Sequence, residues 1–383
     1  MHTNEQLIHL CQDLIKRPSL SGSEGEVASY IQGTMQQLGF DEIFVDAFGS
    51  VTGSIYGNKE GPCILMDGHI DTVGVENPAL WRHDPYQGTV DGGLLYGRGT
   101  SDMKGALSAM LIAAADFKQK TNGNFGGSVH VSCTVCEECF EGFSARLITK
   151  RIKPDVVIVG EASSLTIKRG QRGRAEIVLQ TFGKSCHSSN PQQGVNAVHS
   201  MLTLLAEVLA LEPPHHPILG EGIMVLTDII SAPYPGLSVV PESCKVTFDR
   251  RLLPGETESS ILLPIQQILD KHPAIQASVS IAEGTLTCYT GVHINAKRFF
   301  PAWLLPDDHP LVQTAKQALP SSPLSHYSFC TNASHFCAEA GIPTIGYGPS
   351  EESLAHTVDE YSTVEQLLQA RRGYLSLLDH LLI

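Results

Sequence analysis

The sequence has no apolar run near the roughly 18 residues that a membrane-spanning helix needs. Its start, Met1 to Gln6, lacks the basic and then apolar order of a signal peptide, so we expect a cytoplasmic protein. Basic residues are few: 26 Lys and Arg stand against 40 Asp and Glu, a net charge of −14. Because a chain with this negative charge is repelled by nucleic-acid phosphates and by anionic membranes, we expect neither as a partner.

Two motifs of other enzyme classes are missing or incomplete. No Gly-x-Ser-x-Gly occurs, which disfavours a serine hydrolase. Cys133, Cys136 and Cys139 form a C-x-x-C-x-x-C, but the next cysteine is Cys186 and no Cys-Pro follows. An iron–sulfur cluster or zinc ribbon needs a fourth soft ligand nearby, so reduced, buried thiols are the favoured interpretation. A sensor or binding module with redox thiols remains the alternative from another class.

The length of 383 residues and the 42% apolar content indicate two domains. Helical and strand periods alternate in the first part of the chain, with a helix predicted at 103–118 and short apolar strands at 128–135 and 155–159. After about residue 293 the pattern resumes, with predicted helices at 309–318 and 332–340, a strand at 343–347 and a closing helix from Thr363. We therefore predict an α/β/α domain around a mainly parallel or mixed sheet.

Between these two parts the order of elements changes. The predicted elements are strand 174–182, helix 195–210, strand 222–230, strand 242–252, helix 257–271 and strand 275–282. The order βαββαβ is that of the ferredoxin-like motif. We therefore predict a catalytic domain of residues 1–172 and 293–383, interrupted by an inserted domain of residues 173–292.

His69 and Asp71 follow an apolar run that we interpret as a buried strand, and Asp102 precedes an amphipathic helix. We interpret His69 and Asp102 as metal ligands and Asp71 as the residue that orients His69. Residues two apart on a strand share a face, and a ligating imidazole usually donates its second N–H to a carboxylate or carbonyl. Taken singly, a surface His–Asp pair and a helix-capping Asp102 are the alternatives.

Four more candidates, Glu137, Glu138, Glu161 and His356, follow predicted strands or a Gly-rich stretch of the α/β domain. Ligands gather outside the carboxyl ends of such strands. We therefore expect a crevice that brings together His69, Asp102, Glu138, Glu161 and His356. Two Zn²⁺ ions and a bridging hydroxide would balance three carboxylates, and Asp102 has the two oxygens that a bridge requires. Mixed imidazole and carboxylate ligands suit Zn²⁺, with Co²⁺ or Mn²⁺ as substitutes.

The adjacent acids Glu137 and Glu138 need different roles. One binds metal, while the other takes the proton of the attacking water and passes it to the leaving amine. A solvated Glu-Glu loop is the alternative.

These motifs resemble a binuclear zinc aminoacylase and peptidase family that includes acetylornithine deacetylase, succinyl-diaminopimelate desuccinylase and glutamate carboxypeptidase. The resemblance spans nearly the whole chain and rests on the motifs Gly68–Asp71, Tyr96–Gly105, Glu137-Glu138, Gly160-Glu161 and Ala355–Glu360. It implies that His69 and Glu161 hold one metal, that Glu138 and His356 hold the other, and that Asp102 bridges them. It also implies that Glu137 is the general base and that Asp71 supports His69.

The inserted domain carries two further family motifs. The stretch Gly183–Pro191 resembles the family's lid motif, which implies that His187 stabilises the oxyanion, and that the lid forms a homodimer. Arg251 matches the arginine that binds a substrate carboxylate. Strand alternation places Arg251 opposite an apolar face, and a pair with Asp249 is the alternative.

Asn332 is a departure from the family pattern. It stands near the expected substrate site, where many members carry an acid, so we place it among the substrate-binding residues, with Arg251 and His187. The substrates of the named members therefore do not transfer directly. The surrounding Thr-Asn-Ala is most similar to a subgroup of selenium-metabolism-linked hydrolases. We predict a two-metal hydrolase that cleaves the amide bond of a small N-acyl amino acid. A metal-dependent dipeptidase or carboxypeptidase with the same site is the alternative.

Overall fold

The computed structural model describes all of residues 1–383 and divides them into two compact units. The first unit comprises Met1–Gln171, Leu286–Ile294 and Trp303–Ile383. The second comprises Arg172–Thr285 and Asn295–Ala302. The chain therefore leaves the first unit after Gln171 and forms most of the second unit. It returns to the first unit for residues 286–294, adds residues 295–302 to the second, and ends in the first.

Eight α-helices and 21 strands make up the regular structure. The helices are α1 Asn4–Ile15, α2 Gly25–Gln37, α3 Gly105–Thr121, α4 Ala145–Ile152, α5 Ala197–Val208, α6 Glu258–Lys271, α7 Pro310–Ala318 and α8 Val364–Leu382. The strands are β1 Glu42–Val45, β2 Val51–Tyr56, β3 Lys59–His69, β4 Thr89–Asp91, β5 Leu94–Tyr96, β6 Gly126–Thr134, β7 Val156–Val159, β8 Ile167–Gln171, β9 Gly173–Phe182, β10 His215–His216, β11 Gly220–Glu221, β12 Ile223–Ala232, β13 Ser243–Leu252, β14 Gln276–Ile281, β15 Glu283–Thr287, β16 His293–Lys297, β17 Phe299–Phe300, β18 Trp303–Leu304, β19 Leu324–Tyr327, β20 Thr344–Gly346 and β21 Tyr361–Thr363.

A nine-stranded mixed sheet forms the centre of the first unit, in the order β1-β2-β6-β3-β7-β20-β8-β18, with β19 paired to β8. Its middle strands β6, β3, β7 and β20 run parallel to one another, while β1, β2 and β18 are antiparallel to their neighbours. The predicted α/β fold with a mixed sheet is confirmed. The parallel centre matters for function because it brings the carboxyl ends of β3, β6 and β7 to one edge.

Helix α3 is the core helix of the first unit. Its residues from Gly105 to Phe117 are all buried, and it packs against α8, α1 and the strands β3 and β6. The close approach is visible at Gly68 of β3, where a Cβ atom would lie 3.4 Å from Leu107 of α3 and 2.8 Å from Met103 in the turn before it. No helix of the chain is long and apolar enough to cross a membrane.

The main elements of the second unit follow in the order β9-α5-β12-β13-α6-β14, with the two-residue strands β10 and β11 between α5 and β12. Its five-stranded antiparallel sheet has the order β12-β13-β9-β14, with β17 paired to β9. Strand alternation buries Cys244, Val246 and Phe248 against the apolar residues of α5 and α6. This is the βαββαβ arrangement that the sequence predicts. The elements agree with the predicted ones to within two residues at nearly every end, because the alternating apolar pattern is strong there.

Two predicted elements differ from the structure. The predicted helix 332–340 is a six-residue wide helical turn, Ser334–Glu339. The predicted helix 103–118 begins only at Gly105, and Asp102 lies in the wide turn Thr100–Lys104 before it with non-helical φ and ψ of −129° and 92°. Because no side chain caps α3, the alternative that Asp102 is a helix cap is wrong.

Candidate metal centre

The predicted ligands of the metal site come from the ends of three strands and from two loops. His69 is the last residue of β3, Glu138 lies four residues after β6, and Glu161 lies two residues after β7. Asp102 comes from the turn before α3, and His356 from the loop after β20, where its backbone has φ of 62°. The sheet order thus supplies three of the five side chains, and two loops supply the rest.

The five side chains meet in one place. Nε2 of His69 lies 2.8 Å from Oδ1 of Asp102 and 3.6 Å from Oε1 of Glu161. Nε2 of His356 lies 3.1 Å from Oδ2 of Asp102 and 3.0 Å from Oε2 of Glu138. Asp102 therefore presents one oxygen to each imidazole, while Glu161 lies beside His69 and Glu138 beside His356. This is the arrangement expected of a bridging carboxylate between two cations.

The site holds more negative charge than its surroundings balance. Burial raises the pKa of Glu137 and Glu161 well above the usual value, and neighbouring carboxylates raise it further. Burial lowers the pKa of His69, but Glu161 and Asp102 outweigh it and raise that pKa well above its usual value. Hydrogen bonds to Asp102 and Glu138 raise the pKa of His356 to about 10. These shifts all arise because several charged groups lie close together in a buried place.

The donor set fits divalent metal ions. Two overlapping groups each have their ligand atoms within 4.8 Å of one another: His69, Glu137 and Glu161, and His69, Asp102 and Glu138. Glu137 is buried, and its Oε1 has no hydrogen-bond partner. An orphaned buried carboxylate oxygen costs about 1–3 kcal/mol unless a proton or a cation satisfies it. Both observations favour cations at this edge of the sheet.

Asp71 makes a different set of contacts from the predicted one. Its backbone carbonyl, not its carboxylate, accepts the hydrogen bond from Nδ1 of His69 at 2.9 Å; the nearer carboxylate oxygen is 3.6 Å away. The carboxylate accepts instead the backbone N–H groups of Glu137 and Glu138, both at 3.1 Å, and the hydroxyl of Ser21 at 2.7 Å. Asp71 therefore orients His69 through its main chain and holds the Glu-Glu turn through its side chain.

Glu360 is a supporting residue to which the sequence reasoning gave no role. Its buried carboxylate accepts the N–H groups of Gly99, Ser101 and Asp102 at 3.1, 2.8 and 3.1 Å. The same carboxylate pairs with the buried guanidinium of Arg98 at 2.5 Å. Glu360 thus fixes the turn that carries Asp102. Its place at the end of the motif Ala355–Glu360 was the available signal.

Asn332 was predicted to bind substrate, but its contacts lie within the protein. The side chain is buried: its amide nitrogen donates to Asp67 and Thr134, both at 2.9 Å, and its oxygen accepts the N–H of Gly142 at 2.7 Å. Both ends are engaged, so these contacts support a structural role and not the predicted contact with substrate. An aspartate here would set a second carboxylate against Asp67, whereas the amide donates to it.

The two candidates of the inserted domain, His187 and Arg251, lie in the second unit. His187 is exposed, and its Nδ1 lies 2.7 Å from the hydroxyl of Ser189. Arg251 is on the face of β13 opposite the apolar core, as predicted, and its Nε lies 2.9 Å from Oδ1 of Asp249. The ion pair left open as an alternative for Arg251 is therefore formed, and both substrate roles remain predictions.

Cys136, the middle residue of the C-x-x-C-x-x-C motif, is packed against other side chains. Both groups of potential metal ligands consist of histidine and carboxylate, with no cysteine among them. Sγ of Cys136 is buried, 3.9 Å from Sγ of Cys288 and 3.6 Å from Oε1 of Glu24. These contacts are those of packed thiols near the site.

Comparison with known proteins agrees with this geometry. A sequence profile of peptidase family M20/M25/M40 matches residues 65–380. An uncharacterized protein of Escherichia coli K12, YgeY, is 33% identical over 379 residues, covering 96% of this chain and 92% of that protein. A succinyl-diaminopimelate desuccinylase of Methylobacterium radiotolerans is 28% identical over 396 residues, covering 99% of this chain and 97% of the relative.

Solved structures share the fold. An aminopeptidase PepT of Bacillus cereus superposes with a TM-score of 0.75 at 20% identity, covering 99% of both chains. Human carnosine dipeptidase 1 gives 0.73 at 15% identity, covering 99% of this chain and 96% of that one. The YXEP protein of Bacillus subtilis, described as a dinuclear metal binding peptidase, gives 0.70 at 15% identity, covering 98% and 97% of the two chains. At these identities the likeness concerns the fold.

Proposed function

Because the chain belongs to peptidase family M20/M25/M40 and is a hydrolase of that family, we propose that it is a two-metal hydrolase of small N-acyl amino acids. The observation that carries the proposal is the position of Asp102, whose two oxygens lie 2.8 and 3.1 Å from the imidazoles of His69 and His356. This arrangement, with one further carboxylate on each side, supports a pair of cations that share Asp102.

The chain's own residues divide into two sets. We assign His69 and Glu161 to one cation, Glu138 and His356 to the other, and Asp102 to both. Imidazole and carboxylate ligands together suit Zn²⁺, and Co²⁺ or Mn²⁺ can substitute for it. When bound, two such ions would polarise the scissile carbonyl and lower the pKa of a water.

Glu137 is the residue that we assign to proton transfer. It adjoins the ligands, it is buried, and its Oε1 has no partner within the protein. In the proposed reaction the attacking water gives a proton to this carboxylate and its oxygen to the carbonyl carbon. The C–N bond then breaks, and Glu137 returns the proton to the leaving nitrogen. The products are a carboxylic acid and a free amine.

Two residues of the second unit are our candidates for substrate contacts, by resemblance to the family. His187 would donate to the developing oxyanion, since its imidazole is exposed. Arg251 would bind a substrate carboxylate, because a guanidinium grips that group with two parallel hydrogen bonds. Its present pair with Asp249 leaves part of the guanidinium accessible, as the side chain is 30% exposed.

The size of the substrate is suggested by a cavity of about 430 Å³ in the first unit beside His356. Its apolar lining includes Val73, Val75, Leu80 and Trp81. A cavity of this size is within the range of small-molecule sites, so it suits a small substrate. The desuccinylase among the relatives favours a deacylase reaction. A dipeptidase is among the proteins of similar fold, so a dipeptidase or carboxypeptidase reaction is the second candidate.

A substrate panel tests the proposed function. We expect the metal-loaded protein to release amine from at least one of the N-acetyl, N-succinyl and N-formyl amino acids, and a chelator to abolish this release. Faster turnover of dipeptides than of every acyl amino acid would favour the second candidate. Amide hydrolysis that survives complete metal removal, with metal content measured by mass spectrometry, would contradict the two-metal proposal.

We also propose a homodimer formed through the second unit. Strand β12 is at the edge of its sheet, so one row of its backbone N–H and C=O groups has no neighbouring strand. Val225, Ile229 and Ile230 on this strand are 49%, 51% and 51% exposed. A second copy that pairs along the same edge around a two-fold axis would cover these side chains and satisfy the backbone.

An edge variant tests the dimer. We expect light scattering after size exclusion to give twice the chain mass for the wild type and the single chain mass for Ile229→Lys/Ile230→Lys, because two charges per chain would be buried at the interface. The control is Leu263→Lys, because Leu263 is 55% exposed but lies on α6 and not on the edge strand. A wild type that is monomeric at all concentrations would refute the dimer.

A further inference from the structure

The turn that carries Glu137 and Glu138 is held by three successive backbone N–H groups, and each donates to a buried carboxylate. The groups of Glu137 and Glu138 donate to Asp71, as described above. The N–H of Cys136 donates to Oε1 of Glu24 at 3.2 Å. Two acids from elsewhere in the chain therefore set the path of the backbone immediately before and through the pair.

Cys136 needs such support because its backbone is in the left-handed region, with φ of 61°. A residue with a Cβ atom pays a free-energy penalty for this conformation, because the Cβ atom comes too close to the following carbonyl oxygen. A turn with this cost relaxes unless its hydrogen bonds fix it. The N–H group that donates to Glu24 belongs to Cys136 itself, which is one position before the proposed base.

Glu24 is itself unusually placed. The residue precedes α2 and is completely buried. Its Oε1 also accepts the N–H of Gly22 at 2.9 Å, while its Oε2 has no hydrogen-bond partner. Burial raises its pKa, and the charge of Asp71 raises it further. An acid in this environment costs free energy, so the bonds that it makes must offset that cost.

The segment around Glu24 is a firm anchor. A Cβ atom on Gly22 would lie 2.6 Å from the carbonyl oxygen of Thr287, so the backbones touch here. The ring of Tyr289 packs against Gly25, and its hydroxyl donates to the carbonyl of Gly49 at 2.9 Å. Glu24 therefore connects a packed segment to the turn through the hydrogen bond that it accepts from Cys136.

We propose that Glu24 is a positioning residue for the hydrolysis described above: by accepting the N–H of Cys136, its carboxylate fixes the turn that aims Glu137 at the reacting water and Glu138 at its cation. The inference rests on the proposed function. It predicts an effect on turnover and on the geometry around Glu138, while binding of substrate should hardly change.

Three variants test it. Glu24→Ala removes the acceptor, Glu24→Gln keeps an acceptor oxygen without the charge, and Glu26→Ala is the control, since Glu26 lies in the same first turn of α2 with its side chain 72% exposed. In the metal-loaded enzyme we expect Glu24→Ala to lower kcat by about tenfold to a hundredfold with KM nearly unchanged, because a small misplacement of a reacting group has this effect. Glu24→Gln should recover most of the loss, and Glu26→Ala should match the wild type.

A spectroscopic measurement separates positioning from activity. With Co²⁺ in place of the native metal, the visible d–d absorption reports the ligand geometry, so Glu24→Ala should shift the spectrum and Glu24→Gln and Glu26→Ala should not. The spectra can be compared even if the wild type hydrolyses no member of the panel. Such a lack of hydrolysis would count against the proposed function and not against the role of Glu24. If Glu24→Ala does not fold, Glu24→Asp replaces it, because the shorter side chain withdraws the oxygen from Cys136.

The inference is overturned by either of two results with folded protein. One is a Glu24→Ala variant, or Glu24→Asp in its place, with wild-type kcat and an unshifted Co²⁺ spectrum. The other is a Glu24→Gln variant as impaired as Glu24→Ala, which would mean that the charge and not the accepted hydrogen bond is required.

Discussion

Glu137→Gln should lower kcat by about a thousandfold, while the bound metal stays at the wild-type level. The amide has nearly the same shape as the carboxylate but cannot accept the proton of the attacking water. The position favours this role, because Glu137 is buried beside the ligands with one oxygen free, and its backbone is held by Asp71. The turn should therefore keep its conformation in the variant, and the loss should lie in the chemical step.

The measurement is steady-state kinetics on the best substrate of the panel, with metal content determined on the same samples. Glu60→Gln is a matched control, because Glu60 is an exposed acid at the start of β3 in the same unit. We expect it to be indistinguishable from the wild type. Turnover within tenfold of the wild type in metal-replete Glu137→Gln would exclude Glu137 as the base, because general acid–base catalysis is worth about a hundredfold to ten-thousandfold.

Asp102→Ala is expected to lose both metal ions and all measurable turnover, a larger effect than the loss of any single outer ligand. Its two oxygens lie at hydrogen-bond distance from both imidazoles, so removing it takes a ligand from each proposed cation at once. His356→Ala is the informative comparison, because His356 is the most exposed of the five and serves only one of the two proposed cations.

Metal content by mass spectrometry and calorimetric titration with Zn²⁺ distinguish these variants. We expect about two ions per chain in the wild type, one in His356→Ala and fewer than one in Asp102→Ala. The reason is that His356 is assigned to one of the two cations, whereas Asp102 is assigned to both. Thermal unfolding should report the same order, because a ligand that binds only the folded state at a hundred times its Kd adds about 2.7 kcal/mol to the free energy of unfolding. Full metal occupancy in Asp102→Ala would rule out a bridge at this position.

Local patterns predicted much of the fold. The strand predicted at 174–182 is Gly173–Phe182, and the helix predicted at 257–271 is Glu258–Lys271, because alternation and helical period are strong where one face is buried. The sequence did not reveal α4, Ala145–Ile152, or strand β8, Ile167–Gln171. Strand β8 is buried throughout but contains Lys168, Arg169 and Gln171, so neither polarity nor alternation marks it.

The sequence by itself determined which residue types could bind metal and where they fall, at the carboxyl ends of strands and in the turn before a helix. Parallel strand order then makes convergence of His69, Glu138 and Glu161 nearly unavoidable. Only the tertiary structure decided what holds them: the carboxylates of Asp71, Glu24 and Glu360 accept backbone N–H groups that lie between 66 and 261 residues away. Such partners carry no local signal, because any buried acid can accept any N–H that the fold brings within reach, and the choice depends on burial and packing.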